Sequence, residues 1–198
     1  MDYIIGVKDM NEFYNSKQLE ELEEGWWFYD HAWSLLHYII RNIKGKEVLD
    51  VGCGSGLAMS VIQAVKPNVK CTGVEPTNDL IDLWALRGVT VKQSDAAQLP
   101  FSDGQFDCVY SSHVLEHIQD DLTAAKEMIR VTNGVCIIIV PEGDCQDKNL
   151  GSPHLRIYNR VNFLDMVKKA VNGVECTINL EHHQHSHINS LVAIVEKI

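Results

Sequence analysis

The sequence predicts one doubly wound α/β domain on a mostly parallel sheet, and three observations predict it. From residue 47 onward, short apolar runs that end in a glycine or an acid alternate with helical stretches. The longest apolar run, Val135 to Pro141, has the length of a fully buried strand and is far too short to span a bilayer. The last two strand-like segments follow each other with no helix between them, which implies an antiparallel edge. Right-handed crossovers place helices on both faces of such a sheet. Ligands of open α/β sheets bind beyond the carboxyl ends of the strands, so functional residues are expected just after each strand.

In order along the chain, "EGWWFYDHAWSLLHYIIRNI" repeats apolar residues at helical spacing and is read as a helix preceding the sheet. "EVLDV" (47–51) is the first strand, and Leu57 to Val65 a helix that ends before Pro67. "VKCTGVEP" (69–76) is the second strand. "NDLIDLWALRG" follows as a helix, with Gly88 as its cap. "VTVKQSD" (89–95) and "FDCVYSS" (106–112) are the third and fourth strands, on either side of the polar turn "FSDGQ". A helix over 122–131 leads through a short turn, "VTNGV", to the fifth strand, 135–141. Residues 142–158 read as an irregular linker, 161–171 as a helix, and "ECTINLEH" with "SLVAIVEK" as a closing hairpin. This makes seven strands.

A length of 198 residues suits one core, so residues 1–198 are taken as a single domain, with 1–43 as an N-terminal helical lid and 44–198 as the sheet core. Six cysteines without C-x-x-C spacing, several inside strands, read as reduced core residues. A net charge of −10 with no Lys/Arg cluster disfavours nucleic acid and anionic membrane as partners, leaving a small molecule as the expected substrate. The first residues show no basic start followed by a long apolar stretch, so a cytoplasmic protein is expected. Oligomeric state is not legible.

Gly52, Gly54 and Gly56 connect the first strand to its helix, where absent side chains let the backbone turn sharply and approach a ligand. Position 57, where a dinucleotide fingerprint wants its third glycine, is Leu57, and no Gly-Lys-Ser/Thr ending is present. Asp50 just before the loop would repel phosphate and favour an ammonium or a hydroxyl. Glu75 ends the second strand, where a carboxylate can accept both hydroxyls of a ribose. Asp95 ends the third, where it can accept from an exocyclic amine while the Ala96 N–H donates to a ring nitrogen. A nucleoside with an amino-acid tail fits these features better than a phosphate.

The ordered motifs "VLDVGCGSG", "VEP", "SDAAQLPFSDGQFDCVYSSHVLEHI" and "PHLRIYNRVNFLDMV" resemble the class I S-adenosylmethionine-dependent methyltransferases, and in particular the small-molecule subgroup called type 11. The resemblance runs from about Trp26 to the C-terminus. It implies a Rossmann-like fold and S-adenosylmethionine as cofactor. Asp50, Gly52 and Gly54 would surround the methionine part, with Cys53 and Gly56 completing the loop. Glu75 would hold the ribose, Asp95 and Ala96 the adenine, and Pro76 and Leu99 would pack near the base. The "VTNGV" stretch departs from the family's usual Pro-Gly-Gly turn and reads as a shortened loop.

On the acceptor side, Ser112 and His113 should face the methyl end of the cofactor. His113 and His117, four apart in "SSHVLEHI", would share a face if that segment is helical, and either could act as a general base. His154 is expected to face the acceptor pocket, with Arg156 and Tyr158 as further candidates for its lining. Trp27 and Tyr29 are the candidates for an aromatic lid suited to a sulfonium, whereas Trp33 and Tyr38 read as a docking stripe. The segment differs from the E-x-x-E-H of the magnesium-dependent small-RNA 2′-O-methyltransferases by His113, which removes a carboxylate from a hard-cation site, so no metal is expected. "EHHQHSH" (181–187) reads as the solvated tip of the hairpin. The function expected is methyl transfer to an oxygen, less readily a nitrogen, of a small metabolite. An inactive cofactor-binding regulatory subunit and an RNA methyltransferase remain as alternatives.

Overall fold

Val48, Leu49 and Val51 of β1 (Glu47–Val51) are all fully buried, as expected of a strand covered on both faces. The computed structural model describes residues 26–143, 154–185 and 188–198, apart from the side chains of 26–31, 185 and 188. The other elements are α1 (Trp26–Asn42), α2 (Leu57–Val65), β2 (Lys70–Glu75), α3 (Ile81–Arg87), β3 (Thr90–Gln93) and β4 (Phe106–Ser112). A 3-10 turn (Leu115–His117) follows, then α4 (Asp121–Val131), β5 (Thr132–Pro141), α5 (Arg160–Ala170), β6 (Cys176–His185) and β7 (Ile188–Lys197).

The sheet order is β3-β2-β1-β4-β5-β7-β6. The first five strands in that order pair in parallel, while β7 pairs antiparallel with β5 and β6. The chain runs outward from β1 through β2 to β3 and returns at β4, so the crevice opens beyond β1 and β4. Alternate side chains feed two cores. Leu49, Ile138, Met128 and Phe163 pack on the face covered by α4 and α5, and Val48, Ile137, Ile139, Ile39 and Ile62 pack on the other face.

Local chemistry fixes the helix ends. The Asp120 carboxylate accepts the Thr123 N–H at 3.0 Å to start α4, and Asn159 with Asn162 forms a reciprocal capping box on α5. Each such cap is worth about 1 kcal/mol. Gly88 closes α3 in the left-handed region, as the sequence suggests.

The expected turn before β5 is not there: α4 passes directly into the strand at Thr132, whose hydroxyl donates to the Met128 carbonyl at 2.7 Å. A Cβ at Gly134 would come within 2.6 Å of the Asp107 carbonyl oxygen, so glycine lets the strand begin early beside β4. The closing hairpin is longer than predicted and is not a free tip. His183 Nε2 lies 2.8 Å from Ser34 Oγ, and Tyr38 donates to Glu181 at 2.6 Å, so β6 docks onto α1. His182 pairs with Glu142 at 2.7 Å. His187 lies outside the described residues. The five described cysteines are free thiols, four of them buried.

Candidate functional site

The glycine loop is held in place by groups from several elements. Gly52 and Cys53 both donate their N–H groups to the Val74 carbonyl, at 2.8 and 3.0 Å, and the Gly54 N–H donates to Glu75 Oε2 at 2.9 Å. From α3, the Trp84 indole donates to the Gly54 carbonyl at 2.7 Å and the Arg87 guanidinium donates to the Ser55 carbonyl. Gly52 sits at φ +76°, and a Cβ there would come within 2.5 Å of Val114. Only glycine fits that position without strain.

Two cavities open around this loop. One, of about 490 Å³, is lined by Gly52, Glu75, Pro76, Asp95, Ala96 and His117, among others. The other, of about 310 Å³, lies under α1 and is lined by Trp33, Leu36, Ile39, Asp50, Tyr110 and Ser112, among others. His113 and Gly52 line both. The first has the acids and the size for a nucleoside, and the second is largely apolar. Leu99 is only 4% exposed and lies in the core rather than along the cavity, where its N–H binds Glu127 at 2.9 Å. Asp95 also holds its own turn, accepting the Ala97 N–H at 2.8 Å.

Asp50 is 4% exposed at the end of the apolar cavity. The Tyr110 hydroxyl, from the residue paired with it across β1 and β4, donates to its carboxyl at 2.7 Å. Burial pushes the Asp50 carboxyl up from 3.8 to about 7, and the nearby Glu75 adds to this while the Tyr110 hydrogen bond opposes it. A carboxyl held this way gains most when a cation arrives.

His113 and His117 do not share a helical face. His113 adopts φ +57° at the end of β4, with its N–H on the Ile139 carbonyl at 3.0 Å and Nε2 3.1 Å from Ser190 Oγ. Left-handed backbone at a non-glycine residue costs about 1–3 kcal/mol and persists only where surrounding contacts impose it. The 3-10 turn begins two residues later and turns Glu116 inward between the two imidazoles, with Oε1 3.7 Å from His113 Nδ1 and 3.8 Å from His117 Nε2. Glu116 is fully buried, and burial pushes its carboxyl up from 4.5 to about 7.

His154 does not line either cavity; its ring packs edge-on against His117, with centroids 5.0 Å apart. The other two linker candidates turn away from the pocket. Arg156 donates to the carbonyls of Leu115, Ile118 and Gln119 and pairs with Asp121 at 3.3 Å. Tyr158 is buried and donates to Asp121 at 2.7 Å. Trp33 lines the cavity rather than docking the helix, a task that Leu35, Leu36 and Ile39 perform. Trp27 and Tyr29 fall in the first turns of α1, but their side chains lie outside the described residues. Tyr110, Trp84, Arg87 and Ser190 were not singled out by spacing. The one signal for Tyr110 is its place on a buried strand, where a hydroxyl needs a partner.

Residues 49–139 match the family model described as "Methyltransferase domain". That stretch, a little under half of the chain, resembles a methyltransferase domain. S-adenosylmethionine is the cofactor of that family. Over 106 residues the chain is 37% identical to ajmaline N-methyltransferase of Rauvolfia serpentina, covering 49% of this chain and 36% of that protein. Over 94 residues it is 34% identical to demethylmenaquinone methyltransferase of Staphylococcus aureus, covering 44% of this chain and 39% of that one. The chain thus spans well under half the length of these relatives. Among solved structures it is similar to an S-adenosylmethionine-dependent methyltransferase from Thermotoga maritima, described as a possible histamine N-methyltransferase. Their TM-score is 0.68 at 20% identity, over 92% of this chain and 97% of that one, a likeness in fold. Among the described residues, no helix is long and apolar enough to cross a membrane.

Proposed function

We propose that the chain, acting as a single domain, transfers a methyl group from S-adenosylmethionine to an oxygen of a small, largely apolar acceptor. The observation that carries this reading is His113, which lines both the acid-bearing cavity and the apolar one and so stands where donor and acceptor would meet.

The donor fits the residues present. The larger cavity offers Glu75 and Asp95 as acceptors for ribose and base, while buried Asp50 offers a carboxylate to the cationic methionine end. When bound, S-adenosylmethionine would supply an electrophilic methyl on a sulfonium, which an aligned acceptor oxygen would take up with release of S-adenosylhomocysteine.

This chain's part is to align the two and exclude water, by Trp33, Leu36 and Ile39 on the acceptor side. The His113 imidazole, oriented through Nε2 by Ser190, takes the proton that the hydroxyl loses. A nitrogen acceptor is the second reading, motivated by the name of the Rauvolfia relative.

The test is to incubate the protein with S-adenosylmethionine and fractionated metabolites and to measure S-adenosylhomocysteine. His113→Asn should cut turnover by about 10²-fold or more, with the affinity for S-adenosylhomocysteine kept within a few-fold. Turnover on an amine that is indifferent to His113→Asn would favour nitrogen. Tight cofactor binding with no turnover on any fraction would support a regulatory subunit, and turnover only on RNA would refute a small acceptor.

A further inference from the structure

Glu116 presents a chemical problem that the methyl-transfer reading does not use. Its side chain is 0% exposed, and neither carboxyl oxygen has a hydrogen-bond partner. Buried carboxyls left in this state cost several kcal/mol, and native proteins rarely tolerate them. The side chains that form ion pairs with it are imidazoles, and the Arg156 guanidinium adds a more distant positive charge. His117 Nε2 lies 3.8 Å from Oε1, and His154 brings up an Nδ1 that is itself buried and without a hydrogen-bond partner. One ligand-competent atom from each of Glu116, His117 and His154 falls within 4.8 Å of the others. That spacing lets a single ion touch all three.

We propose that Glu116, His117 and His154 bind one divalent transition-metal ion of the zinc type, beside the junction of the two cavities. Two imidazoles and a carboxylate suit zinc, cobalt or ferrous iron, whereas magnesium and calcium want oxygen ligands. Three protein ligands leave a further position open, as in catalytic zinc sites. His113 stands beside the group, with its Nδ1 3.7 Å from Glu116 Oε1 and its ring lining both cavities.

The ligands are held before any ion arrives. The Leu155 N–H donates to the Glu116 carbonyl at 2.8 Å, and the Arg156 guanidinium donates to the Leu115 carbonyl at 2.6 Å. These bonds tie the segment carrying His154 to the turn carrying Glu116 and His117. The role of Arg156 is therefore to position this site. An ion there would act as a Lewis acid on the acceptor hydroxyl, making its proton easier for His113 to accept. That role rests on the methyl-transfer reading, whereas the site rests on its own geometry.

The experiment strips the full chain with chelator, then titrates Zn²⁺ by calorimetry and Co²⁺ by visible absorption. One tight equivalent is expected, with the Co²⁺ ligand-field bands of a low-coordinate site. Glu116→Gln and His154→Ala should each weaken binding at least about tenfold and alter the bands, while both keep their affinity for S-adenosylhomocysteine, which shows that they fold. His182→Ala, which removes the β6 imidazole paired with Glu142, should leave the tight equivalent intact. Absence of a tight equivalent, its persistence in Glu116→Gln, or its loss in the hairpin variant overturns the site. Metal bound without cofactor binding overturns the methyl-transfer reading alone, and cofactor turnover without metal binding overturns the metal alone.

Discussion

Asp50→Asn should stabilise the cofactor-free protein at alkaline pH while weakening its hold on S-adenosylmethionine. The Asp50 carboxyl titrates near 3.8 when exposed and at about 7 when folded, where it is buried with the Tyr110 hydroxyl, Glu75 and the thiols of Cys53 and Cys71 around it. A raised carboxyl makes the folded state hold its proton longer than the unfolded state does. Stability is therefore lost as pH rises from about 4 to about 7, and the loss is complete above that window. At 1.36 kcal/mol per pH unit the loss is about 4 kcal/mol.

Asparagine carries no charge at any of these pH values and removes the loss, but its amide hydrogens need acceptors in a buried place, at a cost of about 1–3 kcal/mol. The net gain expected is about 1–3 kcal/mol at pH 8, shrinking or reversing by pH 5. Urea unfolding of the free protein at pH 5, 6, 7 and 8 measures it, and calorimetry should show S-adenosylmethionine binding weakened at least about tenfold, since one tenfold step is only 1.4 kcal/mol of lost attraction. Equal pH slopes for wild type and variant, or a variant less stable at pH 8, would refute the reasoning.

Three further outcomes are expected. Gly52→Ala places a methyl 2.5 Å from Val114 at a positive φ, so cofactor affinity should fall at least about tenfold, with partial recovery in Gly52→Ala/Val114→Ala; full affinity in the single variant contradicts the loop geometry. Asp95→Ala removes an acceptor from the larger cavity and from the Ala97 N–H, so calorimetry should show weaker binding of S-adenosylhomocysteine, and unchanged affinity would remove the adenine assignment. Arg156→Ala leaves the carbonyls of Leu115, Ile118 and Gln119 without their shared donor, and urea unfolding should show a loss of about 1–3 kcal/mol. An Arg156→Ala protein of wild-type stability would argue against a positioning role.

The parts of the site that were legible are those determined by position along a strand. Glu75, Pro76, Asp95 and Ala96 line one cavity and Asp50, Ser112 and His113 the other because strand ends in a parallel sheet converge on one edge. Leu99 packs in the core and lines neither cavity, a placement that spacing does not reveal because an apolar residue near a ligand and one in the core carry the same signature. Arg156 and Tyr158 both meet Asp121 rather than a cavity, because facing a pocket and facing a turn are equally open to a linker side chain. The shared helical face for His113 and His117 failed because the Ile139 carbonyl and Ser190, from the neighbouring β5 and β7, hold His113 in a left-handed conformation that spacing does not encode.

By itself the sequence determined the alternation of strands and helices, the glycines at the first crossover and the acids at the strand ends, because periodicity and turn chemistry act within a few residues. Only the tertiary structure decided which distant groups meet. Tyr110 reaches Asp50 through the register of β1 against β4, and Trp84 reaches Gly54 through the docking of α3. His154 meets the buried Glu116 because backbone and guanidinium hydrogen bonds fold the linker back onto the turn. Those encounters depend on loop paths and sheet register, which are set by the packing of the whole core and leave no local mark in the chain.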